Sequence, residues 1–238
     1  MSQVELGTVL VTGGSSGLGA AVVEAVGAAG GTPVILDRQE PPNEVSHERV
    51  DLADTAAAEQ AVRRVAERHG GIDAVVTAAG TDACGTLAEV STAAWEHVVR
   101  VNLLGTAAVI RAALPYLMRS GSSTGSDGGG RIVTVASTLG LRALSDASAY
   151  CASKFGVVGL TRALAVELKG QVGVTLLVPG GMATAFFDDR EPQYQPPPDA
   201  KLSQPEDVAR SVIFALLQPI GCEVRELVVA PSMESSWP

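Results

Sequence analysis

Short apolar runs alternate along this chain with longer stretches in which apolar positions recur every three or four residues. Residues 8–11 are β-branched and apolar, a Gly/Ser turn follows at 13–17, and a helical pattern then runs to about residue 29. The pattern predicts a second strand over 33–37, a weak third over 49–52 and a fourth over 73–77. Between the third and fourth lies an Ala-rich helix over 55–69 with its charges on one face. A long helix is predicted over about 94–119, with Pro115 late in it, and 120–130 is almost wholly Gly, Ser, Thr and Asp, which predicts a flexible surface loop. Then come a strand over 131–136, a helix over 148–169 and a strand over 172–178 that ends at Pro179-Gly180. Pro205, followed by Glu206 and Asp207, opens a helix to about 217, and 226–230 makes a last strand.

Strands separated by helices of this length specify an α/β fold, a parallel sheet covered on both faces with right-handed crossovers. Such sheets take ligands at the carboxyl ends of their strands. Prolines 192, 196, 197 and 198 break the rhythm, and the segment 185–203 around them is expected to act as a substrate lid or to be an inert loop. The chain shows no internal repeat and no interdomain linker, so residues 1–238 are read as a single domain.

Hydrophobic residues make up 46% of the 238 positions and charged residues 18%, a balance that excludes bulk disorder. The net charge of −9 opposes binding to nucleic acid or to an anionic membrane, which needs clustered Lys and Arg. The apolar stretch 101–118 is interrupted by Asn102, Arg111 and Pro115, and 1–7 lacks a positive segment leading into an apolar one, so a cytoplasmic protein is expected. Cys84, Cys151 and Cys222 are widely spaced, as are His47, His69 and His97, and no metal site is expected from their spacing.

Chemistry enters with Thr12-Gly13-Gly14-Ser15-Ser16-Gly17-Leu18-Gly19, which follows the first strand and opens a helix. There a dinucleotide pyrophosphate would meet free N–H groups and a helix N-terminus. Gly13 permits the tight turn, Gly17 lets the backbone approach the phosphates, and Gly19 lets the helix pack closely on the strand. Asp37 closes the second strand, where a carboxylate accepts hydrogen bonds from adenosine ribose hydroxyls and repels a 2′-phosphate. This favours NAD, and Ser16 adds no basic group; Arg38 is the counter-argument, since its guanidinium could reach a 2′-phosphate of NADP. Asp37 could also be only a turn residue at a strand end.

Tyr150-Cys151-Ala152-Ser153-Lys154 puts a phenol and an ammonium four residues apart on one helix face, with Ser137 at the end of the preceding strand. A phenol with a pKa near 10 is a poor base at neutral pH, and a cation beside it favours the phenolate. An ordinary surface Tyr/Lys pair has the same spacing, but it leaves the glycine turn and Ser137 unexplained.

Taken together, these residues resemble the short-chain dehydrogenase/reductase family of about 250 residues, over nearly the whole chain. The family pattern TGxxxGxG matches Thr12 to Gly19, its Ser matches Ser137, its YxxxK matches Tyr150 and Lys154, and its PGxxxT matches Pro179-Gly180-Gly181-Met182-Ala183-Thr184. The resemblance implies a Rossmann-type doubly wound sheet and a catalytic set of Asn102, Ser137, Tyr150 and Lys154. It implies cofactor contacts from Gly13, Ser15, Ser16, Gly17, Leu18, Gly19, Asp37, Arg38, Asp51, Leu52, Ala78, Ala79 and Gly80. Tyr150, Lys154, Pro179, Gly180, Met182 and Thr184 complete the implied cofactor set. Substrate walls are implied at Ser137, Leu139, Leu141, Ala143, Gly181, Phe186 and Phe187. Two departures stand out: Thr77-Ala78-Ala79-Gly80 replaces the family's Asn-Asn-Ala-Gly, where Thr77 could supply a lost hydrogen bond, and 226–231 replaces a common V-D-G-G ending.

The expected activity is hydride transfer between nicotinamide and a secondary alcohol or ketone, with Tyr150 as proton carrier, Lys154 lowering its pKa and holding the ribose, Ser137 bonding the substrate oxygen and Asn102 completing a proton relay. An NADPH-dependent ketone or 3-oxoacyl reductase is the alternative, and a non-catalytic dinucleotide-binding sensor or scaffold is a third. The resemblance also implies a homodimer or homotetramer, paired through the helices at about 94–119 and 148–169, and the tail with Trp237 is expected to dock on a neighbour or to fray.

Overall fold

The structure, a computed structural model, describes residues 6–42, 44–120, 129–219 and 221–234. Most of the loop expected at 120–130, and Trp237 in the tail, lie outside the described residues. Seven strands form one parallel sheet: β1 (Thr8–Thr12), β2 (Thr32–Asp37), β3 (Ser46–Arg49), β4 (Ala74–Thr77), β5 (Arg131–Val135), β6 (Gly173–Pro179) and β7 (Glu226–Val229). Their order across the sheet is β3-β2-β1-β4-β5-β6-β7. The helices are α1 (Gly17–Ala28), α2 (Thr55–His69), α3 (Thr92–Val99), α4 (Thr106–Leu117), α5 (Ser148–Glu167) and α6 (Pro205–Leu216).

Strand side chains alternate between the two faces, and each face has its own core. Val9, Val11, Ile35, Val76, Val133 and Leu177 pack with residues of α1 and α6. Leu10, Val34, Leu36, Val75, Ile132 and Val174 pack with residues of α2, α4 and α5. Because both faces are covered, β1, β4 and β6 are buried at every position, which is why they read as unbroken apolar runs. The result is the α/β, Rossmann-type doubly wound sheet expected from the sequence. Local signals set the helix ends: the Asp54 side chain accepts from the Ala57 N–H at the start of α2, and Gly70, at φ 78°, stops it.

Two boundaries differ from the expectation. The third strand lies at Ser46–Arg49, ahead of the predicted 49–52. It is an edge strand bonded on one side only, in register Val34↔Ser46 to Asp37↔Arg49, so polar residues serve and Glu48 bonds Arg64 and Arg68 of α2. Val50 and Leu52 are buried in the core beyond the strand end, which explains their apolarity. The long helix predicted over 94–119 is interrupted by a π-helical segment at Arg100–Gly105 between α3 and α4. By length and composition the run Thr92–Leu117 passes as a membrane span, yet Ala108, Val109, Ile110, Ala113 and Leu117 are buried in the protein core.

β1 sits between β2 and β4, so crossovers leave it in opposite directions and a crevice opens at its carboxyl end. The candidate functional residues gather there.

Candidate functional site

A cleft of about 1200 Å³ runs along the carboxyl ends of the strands. Its first wall is the turn after β1. Gly13 has φ +69° and Gly17 φ +52°, the left-handed region that favours glycine. A Cβ on Gly19 would stand 2.0 Å from the Gly13 carbonyl oxygen, so α1 can approach the turn only through a glycine here. Thr12, which the sequence reading left without a role, accepts from the Ala79 N–H at 3.2 Å and ties the loop after β4 to this turn. That corrects the expectation for Thr77, whose hydroxyl is buried without a hydrogen-bond partner.

The turn is also fastened to the end of β2. Asp37 Oδ2 accepts from the Ser15 N–H at 3.1 Å, and Oδ1 accepts from the Gln39 N–H at 3.0 Å. Ser15 does not line the cleft; its hydroxyl donates to the Gln39 carbonyl at 2.8 Å and so braces the Asp37 loop. Arg38, exposed on the same rim, has its carbonyl bonded by Arg49 Nε at 3.1 Å. Asp51 and Leu52 line this end too, and Asp51 Oδ1 accepts from the Ala53 N–H at 2.8 Å. Gly13, Ser16, Leu18, Ala78, Ala79, Gly80, Pro179, Gly180, Met182 and Thr184 lie along the same cleft.

At its other end the cleft floor carries Ser137, Tyr150 and Lys154. Ser137 caps the short 3-10 turn after β5, its Oγ accepting from the Leu139 N–H at 3.1 Å, and it shares the cleft floor with the Tyr150 phenol. Burial pushes that phenol up to about 12; the Ser137 hydroxyl and the Arg190 charge work against the rise, and the Asp82 carboxylate adds to it. Lys154 is 4% exposed and donates to the Val135 carbonyl at 2.9 Å, with Nζ 5.6 Å from the centre of the Tyr150 ring. Burial pulls this ammonium down to about 8, against the attraction of Asp82.

Asn102 is 1% exposed and sits in the π-helical segment, behind the cleft wall. Its Oδ1 accepts from the Thr81 N–H at 2.8 Å, and Nδ2 donates to the Thr81 carbonyl at 2.9 Å and to Ser153 Oγ at 3.0 Å. Both side-chain donors are therefore engaged in holding the loop after β4 against α5.

Of the residues expected to wall the substrate, Leu139, Gly181, Phe186 and Phe187 line the cleft with Ser137. Leu141 and Ala143 do not: Leu141 packs on the core of Ala136, Val157 and Val158, and Ala143 is exposed to solvent outside the cleft. The sequence reading missed Asp82, Arg190 and Glu234, all on the cleft, because their partners are far away in the chain. Glu234 Oε2 accepts from the Gly181 N–H at 2.8 Å. Among the described residues, no group of three His, Cys, Asp or Glu side chains is arranged to hold a metal ion.

Over residues 7–195 the chain matches the short chain dehydrogenase family. An uncharacterized oxidoreductase of Staphylococcus saprophyticus is 30% identical over 245 residues, covering 97% of this chain and 100% of the relative. One from Staphylococcus aureus strain MW2 is 29% identical, covering 93% and 96%. Among solved structures, an alcohol dehydrogenase from the archaeon Thermococcus sibiricus complexed with 5-hydroxy-NADP superposes with a TM-score of 0.80 at 25% identity, covering 93% of this chain and 95% of the other. The ligand-free aldohexose dehydrogenase of Thermoplasma acidophilum, at 23% identity and a TM-score of 0.81, covering 94% and 92%, shares the fold. The chain belongs to the short-chain dehydrogenase family, whose members are oxidoreductases that bind a nicotinamide dinucleotide.

Proposed function

We propose that this member of the short-chain dehydrogenase family interconverts secondary alcohols and ketones, with NAD(H) as its preferred cofactor. The observation that carries the reading is the gathering of Ser137, Tyr150 and buried Lys154 on the floor of one cleft with the glycine turn, the Lys154 Nζ lying 5.6 Å from the centre of the Tyr150 ring. The fit to a dinucleotide rests on that turn, where Gly13 and Gly19 leave no room for a Cβ, and on a cleft larger than the roughly 300–1,000 Å³ common for small ligands. Gly13, Ser16, Gly17, Leu18 and Gly19 would hold the pyrophosphate, Asp37 the adenosine ribose, Asp51 and Leu52 the adenine. Ala78 to Gly80, Pro179, Gly180, Met182 and Thr184 would line the nicotinamide half. When bound, nicotinamide takes up or returns a hydride at C4.

The protein handles the proton. In alcohol oxidation the Tyr150 oxygen takes the hydroxyl proton as the carbon loses its hydride, and in ketone reduction it gives that proton back. Ser137 bonds the substrate oxygen and steadies the charge developing there. Lys154 holds its ammonium 5.6 Å from the centre of the phenol ring and would hold the nicotinamide ribose, and Asn102 keeps the loop before Asp82 and helix α5 in register, supporting the relay from behind the wall. Leu139, Phe186 and Phe187 favour a partly apolar substrate, and 185–203 serves as the lid. A homo-oligomer paired through α4 and α5, near Leu104 and Phe155, each 45% exposed, fits the same reading.

Preference for NAD(H) is supported by the Asp37 carboxylate, fixed by two backbone donors on the cleft wall where a 2′-phosphate would lie. An NADPH-dependent ketone reductase is the second reading, favoured by Arg38 on the same rim and by the 5-hydroxy-NADP of the Thermococcus sibiricus structure. Turnover of a panel of secondary alcohols and ketones with each cofactor tests the proposal: faster reaction with NAD(H) is expected. A complete lack of turnover, with intact cofactor binding, would leave the chain as a dinucleotide-binding sensor.

A further inference from the structure

Two charges that no motif announces face each other across the substrate half of the cleft. Arg190, on the lid segment, donates from Nη2 to Asp82 Oδ2 at 2.7 Å, and Asp82 lies two residues beyond Gly80 in the loop after β4. Both are withdrawn from water, with side chains 18% and 8% exposed. The guanidinium lies over the rings of Phe186 and Phe187, 4.8 and 4.7 Å from their centres, and the Phe186 ring is 5.7 Å from that of Tyr150. The loop bearing Asp82 is held by Asn102 through Thr81, so the carboxylate stands on the fixed part of the site and the arginine on the lid.

We propose that the Asp82–Arg190 pair determines specificity for uncharged substrates: joined, the two present no net charge to the substrate half and close Phe186 over Tyr150. The inference rests on the hydride-transfer reading and names its substrate class. An anionic substrate drawn to Arg190, whose buried Nε has no hydrogen-bond partner among the described residues, would either set a second negative charge beside Asp82 or separate the pair and leave the carboxylate buried without its counter-charge; a cationic one drawn to Asp82 would do the reverse to the arginine. Neutralising one member then recruits substrates of the opposite charge to the survivor.

Two measurements test this on the whole protein. First, kcat/KM is compared for three substrates of matched chain length, a secondary alcohol, the corresponding hydroxy acid and the corresponding amino alcohol. The wild type is expected to favour the neutral alcohol by about tenfold or more. Asp82→Asn is expected to raise the hydroxy acid relative to the alcohol by about tenfold, and Arg190→Gln the amino alcohol. Second, and without any turnover, Cys84 reads the local charge, because its thiol donates to Asp82 Oδ2 at 3.5 Å. The ratio of its alkylation by iodoacetate to that by iodoacetamide cancels thiolate content, and exposed Cys222 is the internal reference. This ratio should rise in Asp82→Asn, fall in Arg190→Gln and return to the wild-type value in the double variant, which separates charge from lost packing.

Unchanged ratios in both single variants, or a wild type that prefers a charged substrate, would overturn the proposal. Shifted Cys84 ratios with no alcohol or ketone turned over would instead count against hydride transfer and leave the charge role of the pair standing.

Discussion

Asn102 and Ser153, 51 residues apart in the chain, share a buried hydrogen bond of 3.0 Å, and Ser153 in turn donates to the Tyr150 carbonyl at 2.8 Å. The loop after β4 is thereby joined to the backbone that carries the phenol. Asn102→Ala removes this bond and both bonds to Thr81, and is expected to destabilise the protein by about 2–4 kcal/mol in denaturant unfolding. A loss under about 0.5 kcal/mol, the size of a neutral surface change, would show that Asn102 is not the joint described.

Tyr150→Phe keeps the ring that packs against Phe186 and removes only the phenol oxygen on the cleft floor. Turnover should fall by about 10²–10⁴ while NADH affinity, read by cofactor fluorescence, stays within a factor of about two. Undiminished turnover would reject Tyr150 as the proton carrier.

Lys154 gives the protein a specific dependence on pH. With the ammonium held down to about 8 from 10.5, the unfolded chain binds a proton that the native chain lacks between those values, so stability rises with pH there. Below about 8 the penalty for burying the charge is fully present. Lys154→Met should raise the Tm at pH 7 and flatten the rise between pH 8 and 10, by up to about 3 kcal/mol less the lost bond to Val135. Tyr150, held up to about 12 from 10, acts the other way above pH 10, where stability falls. A lower Tm for Lys154→Met at pH 7 would contradict the burial argument.

Asp37→Ser removes the carboxylate and leaves a small polar group at the end of β2. Relative affinity should move toward NADPH by about tenfold or more, roughly 1.4 kcal/mol, measured by titrating each reduced cofactor separately. No movement would assign Asp37 to bracing the Ser15 turn alone.

Two glycines of α1 should respond in opposite directions. Gly19→Ala drives a Cβ to 2.0 Å from the Gly13 carbonyl, so a loss of about 1–3 kcal/mol and of cofactor binding is expected. Gly27, with nothing within 4 Å of a Cβ, lies on the exposed face, and Gly27→Ala should stabilise by about 0.5–1 kcal/mol. Thermal unfolding of both variants checks the contrast.

What the sequence made legible follows from how each feature is encoded. Strands covered on both faces write continuous apolar runs, and a backbone turn that excludes Cβ atoms writes glycines, so the sheet and the residues 13–19 could be located in advance. Tyr150 and Lys154 share a helix face at a fixed spacing. β3 was misplaced because an edge strand needs no apolar alternation, and the π-helical segment at Arg100–Gly105 differs from an α-helix in hydrogen-bond span, which leaves no period to read. Leu141 was misread because apolar residues near a site look alike whether they face a cleft or the core. Asp82 and Arg190, 108 residues apart, meet only through the tertiary fold.

The strand order also governs how the molecule can be made. β3, β2, β1 and β4 are neighbours in the sheet and all lie within residues 8–77, so a growing chain has Gly13, Asp37 and Asp51 in hand before Ser137 or Tyr150 has been synthesised. β5, β6 and β7 then join the free edge one after another, in the order in which they are translated, and none has to insert between strands already paired. The half proposed to bind the adenosine and pyrophosphate is thus encoded first, and the half proposed to move the proton is laid down beside it.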